Sequence, residues 1–412
     1  AGRLDDAITL HRQTLEDRTR ILGPHHPSTL TSRNNLANAY QDAGRLDDAI
    51  TLHRQTLEDR TRILGPHHPS TLISRSNLAS AYWHAGRLDD AITLYGKTLE
   101  DFENLLGPRH PSTLISRSNL AGAYCDAGRL DDAITLHRQT LEDRIRILGP
   151  HHPDTLTSRN NLANAYQDAG RLDDAITLHR QTLEDRTRIL GPHHPSTLIS
   201  RSNLAGAYCD AGRLDDAITL HRQTLEDRIR ILGPHHPDTL TSRNNLANAY
   251  WHAGRLDKAI SLLEQTLKDF ENLLGPNHPD TLTTQDNLAI TYRTAGRLGE
   301  AIPLFEQTLT DRTRTLGPKH TDTLTTQANL AIAYRTAGKL DKAITLFEQT
   351  LKDFENLLGP NHPDTLNTRH NLANAYRAAG RIEDAEKLFE TPSDSKDEQD
   401  GTEEDPDRET GD

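Results

Sequence analysis

One unit of 42 residues recurs along this chain and constrains its fold more than any other feature. The unit reads AGRLDDAITLHRQTLEDRTRILGPHHPSTLTSRNNLANAYQD from Ala1 and returns without insertion through Ala378. Nine copies fit, and a truncated tenth ends near Glu390. Repetition at such a period is typical of architectures in which each unit packs only against its neighbours. A composition with only 34% hydrophobic residues suits that arrangement better than one large core.

The first half of the unit is predicted to form a helix over residues 45–64. Its apolar residues recur at steps of three, four or seven, which places them on one helical face: Leu46, Ala49, Ile50, Leu57 and Leu64. Gly65 and Pro66 mark its end, because glycine adopts the conformation that closes a helix and proline cannot continue one.

The second half of the unit is predicted to form another helix. It begins at Pro69, whose missing N–H costs nothing at the first helical position, and it stops at Ala85 and Gly86. Its own apolar stripe contains Leu72, Leu78, Ala79 and Tyr82. We therefore expect an all-α fold, a right-handed α-solenoid of tandem helix-turn-helix units.

A short motif makes the repeat more specific. Leu36, Ala37, Tyr40, Gly44 and Ala49 form a pattern that resembles the tetratricopeptide repeat. Eight extra residues carry L-G-P-x-H-P, which is similar to the extended repeat of kinesin light chains and of bacterial NB-ARC/STAND-type sensor proteins. The resemblance implies that the second helices face a concave groove and that the first helices lie outside.

The domain prediction follows from the repeat boundaries. Residues 1–390 form the array, which opens with an orphan outer helix over residues 3–22, and residues 391–412 form an acidic, disordered tail. The tail carries ten acidic residues against Lys396 and Arg408, a net charge of −8. Because Ala1 lies inside a repeat and methionine is absent, we expect a fragment with upstream domains in the same polypeptide.

Charge and hydropathy limit the classes of partner. The formal net charge is −13, of which −5 belongs to residues 1–390, so the array lacks the basic balance of a dedicated nucleic-acid-binding protein. No apolar run approaches the roughly 20 residues of a membrane-spanning helix. Cys125 and Cys209 lie two repeats apart, too far for a disulfide, and indicate free thiols in the reducing cytoplasm.

The nine copies differ mainly at a few positions of the second helix, which the resemblance points into the groove. The predicted partner-binding residues are Asn34, Asn38, Gln41, Trp83, His84, Asn160, Asn164, Asn244, Trp251, His252, Arg293, Arg335, His370 and Arg377. Trp83 and Trp251 are the first choice as contacts, because tryptophan often anchors protein interfaces. The alternative is that exposed positions simply drift.

No motif for catalysis, cofactor binding or metal binding is predicted. Gly96, Lys97 and Thr98 imitate the end of a phosphate-binding loop, but Ala91 replaces the required glycine and the segment is helical. The turn histidines are expected to cap or pack helices, because the turns supply no cysteine or carboxylate at ligand spacing. A metal-dependent enzyme using these histidines is kept only as a remote alternative.

The predicted function is that of a scaffold that binds a protein or peptide in its groove, as the sensor or interaction region of a larger bacterial signalling protein. The alternative is a cargo adaptor like kinesin light chain. Arg293, Arg335 and Arg377 occupy one groove position in successive repeats and suit an acidic ligand. The chain's own acidic residues 394–409 are one candidate occupant, and a merely solvated tail is the other.

Overall fold

The computed structural model of the protein describes residues 2–389, and every element in that range is a helix. The helices are α1 Gly2–Leu22, α2 Pro27–Asp42, α3 Leu46–Leu64, α4 Pro69–His84, α5 Leu88–Leu106, α6 Pro111–Asp126, α7 Leu130–Leu148, α8 Pro153–Asp168, α9 Leu172–Leu190, α10 Pro195–Asp210, α11 Leu214–Leu232, α12 Pro237–His252, α13 Leu256–Leu274, α14 Pro279–Thr294, α15 Leu298–Leu316, α16 Thr321–Thr336, α17 Leu340–Leu358, α18 Pro363–Ala378 and α19 Ile382–Lys387. The all-α repeat prediction is confirmed. The predicted tail, residues 391–412, lies outside the described residues.

Each unit consists of an odd-numbered first helix and the even-numbered second helix that follows it, so units 1–9 run from α1–α2 to α17–α18. Every helix packs against the helices before and after it in the chain. The second helices of successive units also contact each other along most of the array. In a curved array, helices of successive units approach most closely on the concave side. Because it is the second helices that contact each other in this way, they line the groove.

The predicted apolar stripes form the core, with one exception. Ala37, Ala49 and Ala79 are fully buried, and Leu36 and Tyr40 are nearly so. The face of the Tyr40 ring is covered from the start of the next helix, where the Arg45 guanidinium lies 4.3 Å from the ring centroid.

Leu64 was predicted in the buried stripe, and that assignment is wrong. It is 37% exposed, and the neighbouring Ile63 is 44% exposed. The last turn of the first helix reaches the edge of the solenoid, beside the Gly65 and Pro66 turn, where no second helix covers it.

The turn between the two helices is built around a histidine that caps the second helix. Its Nδ1 accepts a hydrogen bond from the backbone N–H two residues later, at 3.1–3.2 Å, in every unit: His26, His68, His110, His152, His194, His236, His278, His320 and His362. The bond satisfies one of the N–H groups that a helix start leaves unpaired. The predicted capping role is confirmed.

We predict that His152→Ala lowers the stability of the array by about 1 kcal/mol, the usual cost of losing an N-cap side chain. His152→Asn should retain most of that stability, because asparagine is itself a preferred N-cap residue. Urea unfolding followed by circular dichroism measures both changes. Equal losses in the two variants would show that the imidazole packs rather than caps.

A different histidine is buried in the first helix of several units. His53 and His179 are fully buried, and neither ring nitrogen has a hydrogen-bond partner. Burial lowers the pKa of each to about 4, from an ordinary value of 6.5. Phe305 and Phe347 fill the same position in later units, so an apolar ring fits the site.

These histidines should make the array acid-sensitive. Between pH 6.5 and about 4 the unfolded imidazoles bind protons and the folded ones do not, so stability present above pH 6.5 is lost as the pH falls. Each contributes a loss of up to about 3 kcal/mol. The double variant His53→Phe and His179→Phe should make the fall in urea midpoint across this range less steep. His137 and His221, whose pKa values burial also lowers to about 4, account for the part that remains. A fall as steep as that of the unchanged protein would contradict the assignment.

The solenoid curves far enough for its two ends to touch. His362 Nε2 lies 2.8 Å from the carbonyl oxygen of Asp126, although 236 residues separate the two. Since Nδ1 of His362 accepts the cap bond, Nε2 carries the hydrogen and donates it. A Cβ added at Gly128 would lie 3.2 Å from Cδ of Pro363. Gly44 and Gly86 approach Leu316 and Leu357 in the same way. Units 1–3 and units 8–9 are therefore neighbours along the axis of one superhelix.

The remaining predictions about the array concern its start, its thiols and its hydropathy. Helix α1 covers the predicted first helix and packs against α2. Cys125 and Cys209 are free, as predicted. Within residues 2–389, none of the helices combines the length and the apolar character that crossing a membrane requires.

Candidate functional site

Predicted groove residues in the last turns of α4, α8 and α12 form hydrogen bonds to the next unit. The side chain at one position reaches the side chain 43 residues later. These bonds join Trp83 Nε1 to Asp126 Oδ2 (2.6 Å), Gln167 Nε2 to Asp210 Oδ2 (2.6 Å) and Trp251 Nε1 to Thr294 Oγ1 (3.0 Å). The groove surface is therefore continuous across unit boundaries.

The indole of Trp83 fills a gap that a glycine leaves in the following unit. A Cβ added at Gly122 would lie 2.8 Å from Cη2 of Trp83, closer than such atoms approach. The ring also meets Tyr95 edge-on, with centroids 6.3 Å apart. Gly206 occupies the same position as Gly122 two units later, but there Gln167 stands in place of the tryptophan, at 3.9 Å.

This pair of glycines gives a matched test. Alanine is favoured over glycine in a helix by about 1 kcal/mol, so Gly206→Ala should stabilise the array by up to that amount. Gly122→Ala should stabilise less, or destabilise, because the indole must move. In a Trp251→Phe background the fluorescence of Trp83 reports that movement. Equal stability gains with unchanged emission would contradict the packing described.

The shorter side chain of Gln167 leaves a cavity of about 280 Å³ in the groove of units 4–6. Asn164, Gln167 and Asp210 are among the residues that line it, and His221 also borders it. His221 is only 5% exposed, and burial lowers its pKa to about 4. The cavity is lined mainly by polar side chains, and the imidazole of His221 that borders it is neutral near pH 7.

The groove of units 3–5 carries a row of carboxylates. Asp126, Asp168 and Asp210 each end a second helix, one unit apart. Burial raises the pKa of Asp168, and the charges of Asp126 and Asp210 raise it further. These positions are C-terminal ends of helices, the negative ends of the helix dipoles, which disfavours a carboxylate there. Asp126 and Asp210 are held in place by the hydrogen bonds that they accept from Trp83 and Gln167.

The groove of units 7–9 carries the opposite charge. Arg293 and Arg335 have no carboxylate partner among the described residues, and burial together with the Arg335 charge lowers the pKa of Arg293. Arg377 donates to Asn374 Oδ1 at 3.3 Å. The acidic residues of the earlier units are replaced by Thr294 and its equivalents, so the guanidinium groups are not neutralised from that position.

The structure places the other predicted groove residues as follows. Asn34 and Asn160 accept hydrogen bonds from Asn77 and Asn203 (2.8 Å each), Asn244 donates to Thr284 Oγ1 (2.7 Å), Gln41 approaches Ser80 and His84 (3.4 Å each), His252 packs on Trp251 (4.7 Å between centroids), His370 lies near Phe389 (5.2 Å), and Asn38 and Asn164 are exposed. The predicted partner-binding residues included none of Asp126, Asp168 and Asp210, although these stand at a variable groove position, and they included neither Gly206 nor His221. Glycine in place of asparagine among the copies was the signal for the cavity.

The described residues contain no group of three or more His, Cys, Asp and Glu side chains that could hold a metal ion. Cys125 and Cys209 lie in the groove series, but burial and nearby carboxylates raise their thiol pKa values to about 12 and about 11. Such thiols are poor nucleophiles, because the thiolate is the reactive form. The chemistry that the groove offers is hydrogen bonding and ion pairing.

A family model described as tetratricopeptide repeat matches almost the whole array. The matched residues are 1–60, 31–104, 74–144, 113–187, 159–226, 196–272, 244–313, 296–356 and 322–391. No curated protein matches the chain at a significant level.

Three solved structures illustrate what the chain is similar to. Repeats from Podosopora anserina, described as nearly identical TPR-like repeats of a kinesin light chain, are 34% identical and cover 50% of this chain and 98% of their own, with a TM-score of 0.42. A Rap protein complexed with competence and sporulation factor is 13% identical, with coverage of 87% and 98% and a TM-score of 0.47. A STAND protein with a tetratricopeptide repeat sensor from Pyrococcus horikoshii is 14% identical, with coverage of 82% and 51% and a TM-score of 0.46.

Proposed function

The chain belongs to the tetratricopeptide repeat family, and we propose that it is a non-catalytic scaffold whose groove holds an extended segment of a partner protein. Repeats of this family indicate a protein-interaction scaffold. The groove positions of the second helices vary from unit to unit, while Leu36, Ala37 and Tyr40 on the same helices return in every unit. Stacked units of this kind create extended concave binding surfaces.

The observation that carries the proposal is the row formed by Arg293, Arg335 and Arg377. Arg293 and Arg335 are partly buried, whereas Arg377 at the end of the row is exposed. A partly buried guanidinium without a counter-charge has lost hydration and gained no ion pair in return. A carboxylate supplied by a partner would restore that balance with charge-assisted hydrogen bonds. The proposed ligand of units 7–9 is therefore an acidic stretch of extended chain, with one acidic side chain per guanidinium.

Trp83 and Trp251 have a different place in this proposal. Their indole N–H groups are already bonded to the next unit, so the part they offer a partner is the open side of the ring. Such a fixed ring costs little entropy to bind, which suits an interface anchor.

The wider role stays a prediction. A sensor region of a bacterial signalling protein would accompany a nucleotide-binding domain with a P-loop, whereas a kinesin light chain-like cargo adaptor would accompany a heptad coiled coil. The groove chemistry is the same for both.

We predict that a fluorescein-labelled peptide of alternating Glu and Gly binds the chain, and that the triple variant Arg293→Gln, Arg335→Gln and Arg377→Gln weakens its affinity about a hundredfold or more at low salt. Glutamine is the chain's own residue at this position in units 1 and 4. Fluorescence anisotropy measures the change, which should shrink as salt screens the charges.

The control variant removes the same charge elsewhere. Arg62, Arg188 and Arg230 lie on the first helices, with 63% of each side chain exposed, and each is replaced by Gln. The control should bind the peptide nearly as well as the unchanged chain. If both triple variants lose the same affinity, the peptide senses only net charge and the groove assignment is wrong.

A further inference from the structure

A row of apolar side chains is left uncovered along one edge of the solenoid. The first helices of the early and middle units end in Ile or Leu pairs at this edge. The exposed members are Ile21, Leu22, Ile63, Leu64, Leu105, Ile147, Leu148, Ile189, Ile231, Leu232 and Leu273, with 37–71% of their surface accessible. Single exposed apolar residues are ordinary, but a continuous row of them marks an interaction surface. We call this row the apolar edge.

The same positions are covered where the superhelix meets itself. A Cβ added at Gly44 would lie 3.4 Å from Cδ2 of Leu316, and one added at Gly86 would lie 3.3 Å from Cδ2 of Leu357. Leu357 is half-buried, whereas its counterparts in earlier units, such as Ile63 and Ile147, are exposed. The contact is continued by the His362 hydrogen bond and by the approach of Pro363 to Gly128.

The other partner in this contact is a row of glycine turns, which we call the glycine edge. Gly44, Gly86 and Gly128 each follow a second helix, with φ between 71° and 73°. Glycine is favoured there because φ is positive, and the missing Cβ also leaves room for the apolar edge.

Most of the glycine edge has nothing packed on it. The glycines of units 4–9 have φ between 67° and 75°, and no atom lies within 4 Å of the Cβ position: Gly170, Gly212, Gly254, Gly296, Gly338 and Gly380. The turn is therefore the same in the covered and uncovered units. In the described part of the chain, the apolar edge and the glycine edge therefore form the two sides of one interface. Only the glycine edge of units 1–3 and the apolar edge of units 8–9 are in contact with each other.

We propose that a second copy of this chain stacks coaxially on the first, with its apolar edge on the free glycine edge of units 4–9. The stacking repeats between molecules the contact that units 8–9 already make with units 1–3 within one molecule. A second copy is the occupant because it supplies the capping histidine, the proline and the Ile or Leu pair at the one-unit spacing that the glycine edge requires. The assembly is separate from peptide binding in the groove.

The symmetry of this contact decides the form of the assembly. The two edges are different surfaces, so the interface is heterologous, and each added copy presents a fresh glycine edge. Such contacts give an open series of oligomers rather than a closed dimer.

The test uses the full chain in sedimentation equilibrium, with about 0.15 M salt to screen the repulsion between acidic copies. The weight-average mass should rise above the monomer mass of 46.0 kDa with concentration and should not level off at two copies. The triple variant Ile147→Thr, Ile189→Thr and Ile231→Thr should weaken association about tenfold or more, since it removes buried apolar surface. Threonine is the chain's own residue at this position in unit 8, Thr315.

The matched control makes the same chemical change on another surface. Ile73, Ile115 and Ile199 lie on second helices with 47–54% of their surface exposed, and each is replaced by threonine. Their counterparts Thr325 and Asn367 stay exposed where the edges meet, so this surface is outside the contact. The control should associate like the unchanged chain.

Three results would overturn the proposal. They are an unchanged chain that stays monomeric up to about 1 mM, a mass that levels off at the dimer, or equal weakening by the two triple variants. Circular dichroism of each variant shows that its helices are intact. Acidic-peptide binding, measured separately on the monomer, reports on the groove proposal alone.

Discussion

Neither helix of a unit can bury its apolar face without the next unit, and the organisation of the molecule follows from that constraint. Fully buried alanines such as Ala37 and Ala79 let neighbouring helices approach closely. Tyr40 and its counterparts close the gap and are covered by an arginine or lysine near the start of the next helix. Because each unit completes the core of its neighbour, the framework residues have to be the same in every copy, whereas the surfaces that face away from the neighbour can differ.

The helices and the core could be predicted from the sequence because their causes are local. Glycine and proline fix the ends of the helices, and the three-and-four spacing fixes the buried face. The exposure of Leu64 could not be read in this way, since the periodic pattern does not show where a neighbouring helix stops. The contact between His362 and Asp126 was also out of reach, because it depends on small rotations that add up over more than five units.

The candidate site was predictable in part for the same reason. Comparing the copies singled out Trp83 and Arg293 as variable, and the resemblance predicted that their positions face the groove, but such a comparison treats each position separately. The bonds that join Trp83 to Asp126 and Gln167 to Asp210 connect different positions in successive units. The cavity beside Gly206 likewise depends on a glutamine, Gln167, in the preceding unit. The structural effect of one residue therefore depends on a residue of the neighbouring unit.

The groove and the two edges are separate surfaces of the same solenoid, so a partner can bind in the groove while copies of the chain stack through their edges. The acidic row of units 3–5 and the arginine row of units 7–9 give the groove a direction, so an extended partner with segregated charge would bind in one orientation. Coaxial stacking would place the grooves of successive copies in line without covering them. A partner that carries the same segment several times would then bind its second site from a tethered position, at a high effective concentration. The assembly would therefore hold such a partner tightly even if each single groove binds its segment with low affinity.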